Sequence, residues 1–133
     1  MTRKVATIRI HNLRLRTLIG FNPDERVKKQ DIVVNAEISY FLEDGVFEDR
    51  VEQALNYKTI TKAIIDLVED GQFLLLEKLV GDVLDICSAD ASVQRASVTI
   101  EKPHALRFAD SVSLTLEYSA KQAAIPHLLE KAS

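Results

Sequence analysis

Cysteine is nearly absent: Cys87 is the only one among 133 residues. That excludes an intrachain disulfide framework and any zinc module built from several cysteines. Glycine and proline are scarce, at four and three, and no low-complexity linker divides the chain, so one domain is predicted over residues 1–120. No apolar run approaches the ~20 residues that a bilayer span needs. The N-terminal MTRKVATIRI has a basic start and no apolar stretch, which predicts no export signal and a cytoplasmic location. A dominant charge is missing too: 17 Lys+Arg against 20 Asp+Glu leave a net −3, which argues against nucleic-acid and membrane partners. His11, His104 and His127 are too scattered for a metal signature, and HExxH, GxGxxG, P-loop and GxSxG patterns are all lacking. A chain this short buries only about two thirds of its unfolded surface, which leaves little interior for a ligand.

What is present is periodicity. From Val5 to Ile19 apolar residues alternate, Ile8 and Ile10 and then Leu13 and Leu15, with a change of phase at His11-Asn12 that predicts a bulge or bend. Gly20 closes this strand and FNPDERVKKQ reads as a polar loop. A second strand carries Ile32, Val34, Ala36, Ile38 and Tyr40 on one face. After the acidic EDGVFEDRVEQ connector, Asn56 predicts an N-cap for a helix through Asp70. Gly71 breaks the pattern, and a second helix is predicted from about Phe73 to Ser88, with Leu79, Val80, Val83 and Cys87 inward, the last as core packing. Two further strands, Ala96–Ile100 and Val112–Tyr118, are joined by a loop that starts at Pro103. The segment Lys121–Ser133 contains Pro126 and is expected to be a mobile tail. The order β-β-α-α-β-β predicts an α+β fold, a four-stranded antiparallel sheet with both helices on one face. The two free edges of such a sheet predict closure into a ring of subunits.

Few residues stand out for chemistry. Glu77 aligns at helical spacing with Phe73, Val80 and Leu84, at or beside the apolar stripe. Either it is a flank carboxylate turned to water or paired with a distant lysine, or it accepts two adjacent N–H donors from a ligand edge such as a guanidine or 2-aminopyrimidinone. Lys102 ends its strand in phase with Ala96, Val98 and Ile100. Its ammonium either snorkels outward or stands at the mouth of the apolar layer as an acid/base group. Glu25 alone reads as a solvated loop carboxylate, and Tyr57 as a core aromatic with a hydroxyl to offer.

In combination the strings IGFNPDE, ALNYKTIT, LLLEKLVGDVLD and VTIEKPHALRFADSVSLTLE resemble the dihydroneopterin aldolase family of tunnelling-fold (T-fold) pterin proteins, in register from about Ile8 to Tyr118. Within it the wording is similar to the branch that inverts C2′ of a dihydroneopterin triphosphate; the aldolases proper usually have a glycine or proline-rich turn at His104-Ala105-Leu106-Arg107. The resemblance implies a pterin substrate, no cofactor or metal, and tetrameric rings, often stacked into octamers, with sites between subunits. It implies that Glu77 anchors the pterin, that Lys102 and Glu25 are catalytic, and that Tyr57 reaches a neighbouring subunit's site. Backbone groups near Leu55-Asn56 and Leu75-Leu76 would complete the contact. A triphosphate tail calls for cations near the mouth, and Arg107, His104, Arg14, Arg16 and Lys28-Lys29 are the candidates. An aldolase of the same family and a non-catalytic pterin-binding module are the alternative functions.

Overall fold

The computed structural model describes residues 4–123. Strand β1 (Val5–Ile19) pairs antiparallel with β2 (Gln30–Phe41). Two short 3-10 turns, Asp44–Glu48 and Val51–Gln53, lead to helix α1 (Tyr57–Glu69). Then follow β3 (Gln72–Phe73), α2 (Leu76–Cys87), β4 (Val93–Pro103), β5 (Ser111–Ser119) and a four-residue helix, α3 (Ala120–Ala123). The sheet order is β3-β1-β2-β4-β5. Apart from α3, the expected tail from Lys121 to Ser133 lies outside the described residues. No helix among the described residues is long and apolar enough to cross a membrane.

The phase change in β1 is a bulge: Ile10 faces Ala36 and Leu13 faces Val34, so His11 and Asn12 share the place of one residue. Asn12 takes a left-handed φ of 52°, which asparagine tolerates better than most residues. Its N–H donates to Asn35 Oδ1 at 2.9 Å, and Asn35 Nδ2 donates back to Asn12 Oδ1 at 3.3 Å. The extra residue keeps one face apolar along a 15-residue strand. Ala6, Ile8 and Ile10 face inward before it, and Leu15, Thr17 and Ile19 after it.

Both helices pack on that inward face, where Ile64 and Val68 of α1 and Leu79, Val80, Val83 and Cys87 of α2 meet Ile32, Val34, Ala36 and Ile38 of β2 and Ala96, Val98 and Ile100 of β4. Asn56 caps α1 as expected, its Oδ1 accepting from Lys58 N and Thr59 N at 3.0 and 3.2 Å. The opposite face of the sheet is polar, with Thr7 bonded to Ser39 at 2.8 Å, Arg9 to Glu37 at 2.8 Å and Thr99 to Thr115 at 2.6 Å.

The strand set and some boundaries differ from the sequence expectation; β4, for one, stays paired through Pro103, where the loop was expected to start. The sheet has a fifth strand, β3, whose two residues run parallel to the end of β1, Leu18 beside Gln72 and Ile19 beside Phe73. Helix α2 therefore begins at Leu76 rather than near Phe73. Phe73 is buried, and its carbonyl accepts from Gly20 N–H at 2.9 Å. Pairing with β1 satisfies a backbone that a further helical turn would have pulled away from the sheet.

Candidate active site

Where α2 begins, the helix layer stops short of the ends of β1 and β4, and a cavity of about 340 Å³ opens there. It is lined by Gly20, Glu25, Leu76, Glu77, Lys102 and Ala105 among others. Three of the sequence candidates with ionisable side chains thus meet in one place. A larger cavity, about 560 Å³ on the polar face of the sheet around Arg9, Glu37, Arg95 and Glu117, holds none of them.

Lys102 owes its position to strand alternation. Ile100 faces the core, so Lys102 does too, but at a level where the helices no longer cover the sheet. Its side chain is only 13% exposed, and its Nζ lies 3.1 Å from Oε2 of Glu25, itself 24% exposed. Snorkelling is thereby replaced by an inward ion pair. Gln30 Nε2 also donates to Glu25 Oε2, at 3.3 Å, and Asn22 N–H to Oε1, at 3.4 Å. Burial pushes the Glu25 carboxyl up, but the Lys102 hydrogen bond and charge, the Gln30 amide and the Asn22 N–H outweigh that push. The group titrates below its ordinary value. Glu25 is therefore an ordered anion, not the solvated loop carboxylate that the sequence alone suggests.

Glu77 forms the facing wall from the first turn of α2, where the helix dipole favours a negative charge. Its side chain is exposed, and among the described residues it has no hydrogen-bond or salt-bridge partner. Phe73, in β3, is not its neighbour on a helix. No side chain caps the N-terminus of α2 at Leu75, and Leu75 and Leu76 line the cavity at that helix start.

Tyr57, Asn56 and Leu55 do not line this cavity. Tyr57 is 53% exposed at the start of α1. Asn56 is occupied as the cap, and Leu55 borders a separate cavity of about 280 Å³ with Glu43, Glu52 and Asp90. One chain alone does not assemble all the expected groups. Around the cavity stand exposed Phe21, Leu74 and Leu75, and Phe47 and Val51 are exposed in the connector that precedes α1.

The candidate cations separate. Arg14 and Arg16 lie on the polar face, opposite Leu15 and Thr17; Arg16 is tied to Asp31 at 3.1 Å and to the Lys29 carbonyl at 3.0 Å. Lys29 donates to the Glu69 carbonyl at 3.1 Å. Lys28 is exposed in the Glu25 loop. His104 and Arg107 belong to the β4–β5 loop whose Ala105 lines the cavity. His104 has a left-handed φ of 65°, and the Arg107 guanidinium lies 5.4 Å from the Phe108 ring centroid.

Sequence reasoning missed Gly20 and Gln30 as parts of the site. Their only signal was position: Gly20 ends β1, and Gln30 closes the loop that carries Glu25.

Among known proteins, a family model described as FolB, dihydroneopterin aldolase, matches residues 8–117. The dihydroneopterin triphosphate 2′-epimerase of Pseudomonas aeruginosa is 49% identical over 84% of this chain and 91% of its own length. The Escherichia coli K12 protein of the same description is 50% identical over 89% of this chain and 98% of its own. The crystal structure of Escherichia coli dihydroneopterin aldolase in complex with neopterin superposes with a TM-score of 0.79 at 24% identity, covering 86% of this chain and 99% of that one.

Proposed function

The chain belongs to the dihydroneopterin aldolase family, and on that premise we propose that it is an epimerase that inverts C2′ of 7,8-dihydroneopterin 3′-triphosphate. The observation that carries the reaction class is the Lys102–Glu25 pair at 3.1 Å facing Glu77 across one cavity. What favours epimerisation over cleavage is the 49–50% identity to proteins described as the epimerase.

The chemistry follows from the substrate. A dihydropterin carries a C6=N5 imine that accepts electrons once N5 is protonated. Glu77 receives the 2-amino and N3 hydrogens of the ring on its two oxygens, a planar match for a carboxylate. Removal of the 2′-hydroxyl proton then sends the C1′–C2′ electron pair into C6=N5, leaving an enamine at C6–C1′ and a phosphorylated aldehyde. Lys102 and Glu25 move these protons, through a water where reach requires it. Held in place, the aldehyde turns its other face to C1′, and the bond re-forms with C2′ inverted. The electron sink is in the substrate, so the steps balance without an external oxidant or reductant. If C1′ is protonated first, the aldehyde leaves and the reaction is that of an aldolase.

The site is made by two chains. At about 340 Å³ the cavity is at the small end for ligand pockets, and Tyr57 with the Leu55-Asn56 backbone comes from a neighbour in a tetrameric ring or a stacked octamer. The apolar rim at Phe21, Leu74 and Leu75 and the exposed Tyr57 support such an association. His104 and Arg107 then serve the triphosphate tail, because they share the loop of Ala105 and make no ion pair among the described residues.

The test is product analysis. The protein is incubated with dihydroneopterin and with its triphosphate, and the products are oxidised and separated. Dominant monapterin derivative from the triphosphate is expected. Dominant hydroxymethylpterin would make it an aldolase, and tight pterin binding without any product would make it a binding module.

A further inference from the structure

Proton transfer needs Glu25 in one place and one charge state, yet Glu25 sits in a loop, the least constrained kind of segment. The surroundings of its carboxylate supply what the loop lacks. Gln30 opens β2, and its Nε2 donates both to the carbonyl of Ile19 and to Oε2 of Glu25. An amide nitrogen has two hydrogens, so this donor is fully committed, one bond to the end of β1 and one to the carboxylate. From the other side comes Gly20, buried at φ 126°. A Cβ there would stand 2.2 Å from Glu25 Cδ and 2.3 and 2.5 Å from its two oxygens. The carboxylate rests against a bare α-carbon, in space that any side chain would occupy.

We propose that Gly20 and Gln30 are positioning residues, forming a cradle that seats the Glu25 carboxylate, ionised and in one orientation, against Lys102. This rests on the reading of Glu25 and Lys102 as the proton-transfer pair. The titratable groups that share the cavity with Glu25 are Lys102 from β4 and Glu77 from α2. A cradle of this kind acts through Glu25. Its loss changes when Glu25 ionises and how often it faces Lys102.

The experiment follows the Glu25 side-chain carboxyl carbon by 13C NMR across acid pH in the wild-type protein and in Gln30→Met and Gln30→Glu. Methionine matches glutamine in length and removes both donors. The Glu25 midpoint is expected to rise in Gln30→Met, and to rise further in Gln30→Glu, where two adjacent carboxylates resist ionising together. In both, the acid limb of kcat/KM moves up with it, and in Gln30→Met kcat falls about tenfold or more while KM for the pterin stays within about twofold. Gly20→Ala is expected to give the same split between kcat and KM. A Glu25 titration identical to wild type in both Gln30 variants, with the amide spectrum of the fold preserved, would overturn the proposal. So would variants that lose only melting temperature. If Gly20→Ala does not fold, the Gln30 variants decide. The titration needs no turnover: a wild-type protein without activity on either substrate would sink the epimerase reading and leave the cradle to be judged by NMR.

Discussion

Lys102 faces inward because Ile100, two positions earlier in β4, does. A lysine carried by alternation to the open end of an apolar layer is held there by its partner, and removal of the ammonium acts on both. Lys102→Ala is expected to lower turnover by about 10²- to 10⁴-fold while leaving pterin affinity largely intact, measured by fluorescence titration. Its effect on acid stability has a definite sign. A carboxyl depressed in the folded protein stabilises it above the unfolded-state pKa, and that stabilisation is lost as pH falls through the folded value. In Lys102→Ala burial opposes ionisation with its chief counterweight gone, so Glu25 titrates higher, its ionisation adds less stability at neutral pH, and its share of the acid-side loss shrinks. Urea unfolding from pH 7 down to about pH 3 reads it. Glu77 behaves differently. Exposed and without a partner among the described residues, it contributes little to folding, so Glu77→Gln keeps stability within about 0.5 kcal/mol. Pterin affinity nevertheless falls about tenfold or more, because two charge-assisted hydrogen bonds are weakened. Periodicity made the inward turn of Lys102 legible. It could not reveal Glu25 as its partner, since 77 positions separate the two and a loop carboxylate has no period; only the resemblance to a family pointed there.

At the level of elements, the bulge in β1 decides which residues reach the site. Without the second residue at His11-Asn12, Leu15, Thr17 and Ile19 would turn to the polar face and the end of β1 would present the wrong side at Gly20. Asn12 holds a left-handed conformation and a reciprocal bond pair with Asn35. Asn12→Ala is expected to cost about 1–2 kcal/mol by equilibrium urea unfolding, and Asn12→Gly less, since glycine accepts positive φ freely. That bulge was legible, because a shift of phase in an alternating strand has few other physical causes. The strand β3 was not. Two residues carry no periodicity, and FLLLEKLV continues the helical spacing of α2, so the local pattern argued for a helix where pairing with β1 prevailed.

On the scale of the whole molecule, the sheet presents unfinished edges. Among the described residues β1 pairs on its second side only at Leu18 and Ile19, and β5 pairs only with β4. Such edges invite further strands, and on the proposed reading the separation of Tyr57 from the Lys102 cavity would give subunit association a functional meaning. If Tyr57 acts in its neighbour's site, Tyr57→Ala and Lys102→Ala chains, each inactive alone, regain activity when unfolded together and refolded as mixed oligomers. Mixtures that stay inactive, with hybrids confirmed by native mass spectrometry, would place Tyr57 within its own chain's site. The sequence foretold an edge problem but carried no signal for the size of any ring, since neither spacing nor composition encodes a closing angle. One feature of the single chain nonetheless acts before any partner arrives. The hydrogen bond from Gly20 N–H to the Phe73 carbonyl, at 2.9 Å, joins the strand that leads to Glu25 to the strand that leads to Glu77. Backbone thereby sets the separation between Glu77, proposed to hold the ring, and the Lys102–Glu25 pair, proposed to move the side-chain protons. On the proposed reading the subunit carries a ruler, and a pterin would be selected by the length from its amino edge to the 2′-hydroxyl as much as by its chemical groups.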